Sequence, residues 1–125
     1  SALQSMWKDA GIRATIKVVP NPQYWDVWLT APLGSTVWAH RSLGVMNLSL
    51  AYRTGVAWNE SAYSNPQFDK LLDEAEGMPD PKARSVKMAE IQKLMQEDGP
   101  VVQTYWRKLF TFYDKRVIGF APPTR

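Results

Sequence analysis

The chain has no cysteine, a single histidine and no long apolar run. The first absence excludes disulfides and thiolate metal sites. The second excludes a His-cluster metal site, and a Ser-His-Asp arrangement around His40 would need sequence-distant partners that nothing in the chain marks. No stretch approaches the roughly 18 apolar residues of a membrane span. Ser1 to Ser5 carry neither the basic nor the apolar region of a signal peptide. The chain opens inside a helical pattern, so it reads as the interior of something longer. A run of basic charge is also missing. Lys and Arg number 15 against 12 Asp and Glu, a net charge of +3, and the nearest thing to a cluster is Arg107, Lys108, Lys115 and Arg116. Without a basic run or a known nucleic-acid motif, nucleic acid is not an expected partner.

Tryptophan is abundant: six in 125 residues, with aromatics at 12%. Part of that load belongs in a core. The rest suits a surface that grips a ligand or another domain, because indole and phenol rings combine a large rigid face with a polar handle.

Leu3, Met6, Trp7 and Ala10 fall at helical spacing, and Gly11 is a natural stop. Ile12, Ala14, Ile16 and Val18 then alternate with Arg13, Thr15 and Lys17, which predicts a half-buried strand ending near Pro20. Asn21 and Pro22 read as a helix start carrying Trp25, Trp28 and Leu29. Residues 31 to 44 are loop-like, with a short strand expected at Thr36 to Trp38. Met46, Leu48, Leu50 and Tyr52 predict a strand over 45 to 52, followed by a loop with Trp58 and Tyr63. Asn65 and Pro66 begin a helix striped by Phe68, Leu71, Leu72 and Ala75. Asp80 and Pro81 begin another, striped by Met88, Ile91, Leu94 and Met95 and stopped at Gly99 and Pro100. Residues 101 to 106 and 109 to 113 read as a hairpin turning near Arg107 and Lys108, and 117 to 125 as an extended tail. The expected fold class is therefore α/β, a mixed sheet with flanking helices.

Asp69, Asp73, Glu74 and Glu76 invite a paired-carboxylate reading. Asp73, Glu74 and Glu76, however, fall off the apolar stripe onto a solvated face, and Asp69 sits in the first turn, where the helix dipole favours negative charge. Gly34, Gly44 and Gly55 have no phosphate-loop spacing. No nucleophile–base pair appears, so neither catalysis nor a cofactor is expected. The candidates for ligand contact are Trp38, His40, Arg41, Trp58, Asn59 and Glu60, aromatics beside hydrogen-bonding groups in the loops flanking the 45–52 segment. The alternative for both tryptophans is that they close the core from its rim.

Five motifs in order resemble the family 5 extracellular solute-binding proteins of ABC transporters, the dipeptide and oligopeptide binders. They are Trp7 to Ile12 with the alternation after it; Asn65, Phe68, Asp69, Leu71, Leu72 and Ala75; Asp80, Arg84 and Gln92; Asp98, Gly99 and Pro100; and Val117 to Phe120. The resemblance implies part of the second lobe of a periplasmic-binding-protein-like type II fold. Residues 1–115 would belong to that lobe, and 116–125 to a tail returning toward the other. It also implies a truncated piece of a periplasmic or otherwise extracytoplasmic protein that delivers a peptide, opine or related solute to a membrane permease. Exposed apolar surface would then drive self-association. Such binders commonly carry an aspartate for the peptide ammonium after the tryptophan of this loop. Here Arg41 stands nearby and no acid does, which favours an anionic or sugar-like group. The alternative function is a stand-alone protein-interaction domain with an aromatic surface.

Overall fold

The structure, a computed structural model, describes residues 1–103 and 110–121. The chain divides into two compact units, Ser1–Ser35 and Thr36–Arg125.

In the first unit, α1 spans Ala2–Asp9 and α2 spans Asn21–Val27. Ser1 and Gln4 form a capping box at the start of α1. Its end follows from Gly11. With φ at +80°, this residue lets Gly11 N–H reach the Lys8 carbonyl at 3.0 Å and Ile12 N–H reach that of Trp7 at 2.7 Å. That pair of bonds is the Schellman arrangement, which needs a left-handed residue and so favours glycine. The expected cap of α2 is corrected. Asn21 is already the first helical residue, Pro20 precedes it without a side-chain cap, and the Pro20 carbonyl accepts from Tyr24 N–H. Trp25 packs edge-to-face on both Tyr24 and Trp28.

The second unit is built on α3 (Gly44–Ala51), α4 (Pro66–Glu76) and α5 (Pro81–Asp98). Its core is Val45, Phe68, Leu72, Ala75 and Ile91, with Leu48, Tyr52, Tyr63, Leu71, Met88, Leu94 and Met95 packed around it. Phe68, Leu72, Ala75 and Ile91 are completely buried, so the two predicted stripes are the faces by which α4 and α5 meet. Asn65 Oδ1 caps α4 by accepting from Gln67 and Phe68 N–H, and Asp80 caps α5 by accepting from Ala83 N–H. Each such cap contributes about 1 kcal/mol.

The α/β expectation is overturned. Among the described residues there are five helices and no strand, so neither the mixed sheet nor the type II lobe built on it holds. Three of the strand expectations fail for identifiable reasons. Residues 45–52 carry apolar side chains at nearly every position, and such a run satisfies a period of two and a period of 3.6 alike. Packing against α4 selects the helix, with Val45, Leu48 and Tyr52 (i, i+3, i+7) in the core and Met46 exposed. Residues 12–19 keep the alternation but have no neighbouring strand, and a strand exists only where its backbone is paired. Thr36 to Trp38 is fixed by side-chain bonds instead of a ladder. The expected hairpin lies partly outside the described residues, at 104–109; residues 101–103 and 110–113 are not strands. In the tail, Asp114 and Arg116 close a turn, with Val117 N–H bonded to the Asp114 carbonyl.

Candidate functional site

Two irregular segments of the second unit meet beside α3. The first, residues 36 to 43, enters that helix; the second, 52 to 64, leaves it. Glu60 joins them. Its carboxylate accepts from Thr36 Oγ1 at 2.5 Å and from the Trp38 indole Nε1 at 3.3 Å. The Trp38 and Trp58 rings lie 6.1 Å apart, tilted by 53°, within the range of favourable aromatic pairs. Trp38 is half-buried, whereas Trp58 is 49% exposed.

The loop carrying Trp58 and Glu60 owes its shape to Asn59. That side chain donates to the Arg53 and Tyr63 carbonyls at 3.2 and 2.7 Å, and its Oδ1 accepts from Ser61 Oγ and Tyr63 N–H. Asn59 is therefore turned inward onto the backbone, and its amide organises the loop. Left-handed turns at Gly55 and Ala62 complete the loop's path.

Its base is fastened to α4. Arg53 bridges Asp73 at 2.5 Å and Glu76 at 2.8 Å, Thr54 N–H donates to Asp69, and Ser49 Oγ donates to Glu76. The Asp73 bond, foremost, holds the Arg53 guanidinium above its ordinary pKa. The acidic face of α4, solvated as expected, also fastens the loop and α3. On the other side, Lys87 of α5 joins Glu74 to Glu90.

His40 and Arg41 follow Trp38 on an exposed stretch and make no hydrogen bond or ion pair among the described residues. Asn47 donates to the Ala39 carbonyl at 3.3 Å, tying this stretch to α3. Of the six candidates, Trp38, Trp58 and Glu60 come together. Asn59 supports them from below, and His40 and Arg41 are adjacent in sequence only. The sequence reading missed Thr36 and Tyr52. Burial, and then the negative charge of Glu60, push the Tyr52 hydroxyl above its ordinary pKa, which places it in the same electrostatic neighbourhood. The alternation Thr36, Trp38 was the available signal for the first; nothing local marked the second. The arrangement presents the exposed Trp58 indole face beside a carboxylate bonded to Thr36 and Trp38.

Over 71 residues the chain is 25% identical to the dipeptide-binding protein DppE of Bacillus subtilis (strain 168). The aligned stretch is 57% of this chain and 13% of that protein, so the chain spans a small part of the relative it matches. This is a distant similarity to a solute-binding protein. No family model matches, and no solved structure matches. No helix among the described residues is long and apolar enough to cross a membrane.

Proposed function

We propose that this chain is part of an extracytoplasmic solute-binding component of an ABC importer, which captures a peptide, opine or related small solute and passes it to a membrane permease without catalysis. The observation that carries the reading is the similarity to a dipeptide-binding protein over 71 residues. The clustering of Trp38, Trp58 and Glu60 in adjoining loops supports it, because solute capture needs an aromatic platform and fixed hydrogen-bonding groups more than it needs reactive ones. In this reading Trp58 stacks on the solute, Glu60 and Trp38 set its orientation, and Arg41 receives an anionic or sugar-like group, with His40 beside it.

A melting-shift screen of the full-length protein that this reading implies, against dipeptides, opines, sugars and organic anions, tests the proposal; the chain alone is expected to bind weakly or not at all. Ligand binding to the folded state raises Tm by mass action. At least one class is expected to raise Tm in the wild type and to lose its effect in Trp58→Ala and Arg41→Ala. If no class shifts Tm, or the shift survives both substitutions, the reading is wrong.

A further inference from the structure

The loop between Arg53 and Tyr63 holds an indole that it leaves in solvent. Trp58 is 49% exposed, so burial alone does not fix its orientation. The next residue, Asn59, is half-buried, and its amide spans the loop. Nδ2 donates to the carbonyls of both end residues, Arg53 and Tyr63, at 3.2 and 2.7 Å. Oδ1 accepts from Ser61 Oγ at 2.8 Å and from Tyr63 N–H at 3.1 Å. An asparagine amide offers two N–H donors and two acceptor lone pairs. All four are engaged inside the loop, which leaves none for a solute.

The main chain closes around the same residue. Asn59 N–H donates to the Val56 carbonyl at 3.1 Å, Glu60 N–H to that of Trp58 at 3.0 Å, and Ala62 N–H to that of Asn59 at 3.2 Å. Ala62 sits at φ +53°. A non-glycine residue keeps this left-handed conformation only where its surroundings over-determine it, and such strain clusters at ligand clamps. Arg53, at one end of the loop, is itself fixed to Asp73 and Glu76 of α4.

We infer that Asn59 is the positioning residue of the candidate site, acting through Trp58 and not by polar contact with the solute. The inference rests on the functional reading above. Asn59 lies between Trp58 and Glu60 in the chain, so fixing its backbone and side chain sets the path of both neighbours. A platform ordered beforehand loses less loop and side-chain freedom on binding, and so binds more tightly.

Two readouts test the inference. In the 125-residue chain without solute, near-UV circular dichroism is recorded with and without Trp58→Phe, and the difference is the Trp58 contribution. That contribution is expected to collapse in an Asn59→Ala background while the far-UV helical signal is retained. Should Asn59→Ala lose the helical signal, Asn59→Asp, which keeps the two accepted bonds and loses the donated pair, is expected to show a partial collapse. In the full-length protein that the reading implies, dipeptides, opines, sugars and organic anions are the probes. Asn59→Ala is expected to weaken Kd for the class that binds at least about tenfold, and Asn59→Asp to weaken it less. A residue that merely stabilised the fold would lower Tm and leave the Trp58 signal and the Kd of the folded protein unchanged. A Trp58 signal indifferent to Asn59→Ala and Asn59→Asp overturns the inference. So does a Kd that weakens while the Trp58 signal stays intact, since Asn59 would then touch the solute itself. If no probe binds the wild type, the functional reading fails and takes the site with it; if a probe binds and both variants keep the wild-type Kd, this inference alone fails.

Discussion

Asn65 reaches both ends of the α4–α5 hairpin at once. Its Oδ1 caps α4 by accepting from Gln67 and Phe68 N–H, and its Nδ2 donates to the Asp98 carboxylate, 2.7 Å away, in the last turn of α5. Tyr63 Oη lies 3.4 Å from the same carboxylate. One amide therefore joins the start of one helix to the end of the next. Asn65→Ala removes both functions and is expected to cost about 1–2 kcal/mol, lowering Tm by several degrees in a domain of this size. Asn65→Asp keeps the cap but sets a like charge against Asp98. Calorimetry should therefore find Asn65→Asp destabilised at neutral pH, less so at high salt.

Gly99 ends α5 because no side chain fits there. A Cβ at this position would lie 2.1 Å from the Met95 carbonyl oxygen and 2.9 Å from the Met95 Cα. Backbone cannot yield as a flexible side chain can, so Gly99→Ala must unwind the last turn or displace it. A loss of roughly 1–3 kcal/mol is expected. Hydrogen exchange should show faster exchange of Gly99 N–H, which is bonded to the Met95 carbonyl at 3.0 Å.

Phe68 is fully buried at the centre of the second unit and meets Tyr63 edge-to-face at 5.5 Å. Truncation to Ala removes the largest side chain of a small core and leaves a cavity, at a cost of about 3–5 kcal/mol. Because total stability for a domain of this size is on the order of 5–15 kcal/mol, denaturant titration of Phe68→Ala should find a large fraction of the unfolding free energy lost.

The two core-edge tyrosines make the fold sensitive to alkali. Burial first, then Glu60, raises the pKa of Tyr52; burial first also raises that of Tyr63, where Asp98 adds to the effect. Both start from an ordinary value of 10.0. A folded-state pKa above the unfolded one means a contribution that is complete below the unfolded value and lost as pH rises toward and through the folded value. Helical signal should therefore decline above pH 10, together with a late rise in phenolate absorbance. Tyr52→Phe should move the decline to higher pH.

The helical half of the fold was legible and the extended half was not. Asn65 and Asp80 followed by prolines, the stripes beginning at Phe68 and Met88, and the stop at Gly99 are local signals that mark each element's bounds and buried face. The 45–52 segment carries two periods at once, and only the α4 surface decides between them. The Ile12 to Val18 alternation is a strand signal whose fulfilment depends on a neighbour that no local pattern can supply. The site divides in the same way. Trp38, Trp58 and Glu60 were visible as aromatics and an acid in loops, but Glu60 holds Trp38 across 22 residues, a relation no spacing rule encodes. Asn59 also organises the backbone of its own loop, and Asp73 and Glu76, on the solvated face, anchor Arg53.

The proposed function places solute uptake at the Trp38, Trp58 and Glu60 loops. It is tested by following the Trp38 indole N–H by two-dimensional NMR, in the full-length protein that the proposal implies, while dipeptides, opines, sugars and organic anions are titrated in. The account predicts that one class moves this resonance saturably, together with that of Trp58, and that Glu60→Gln alters the response. Indole resonances that stay still with every class up to millimolar concentration, or that move only with residues outside these loops, would contradict it.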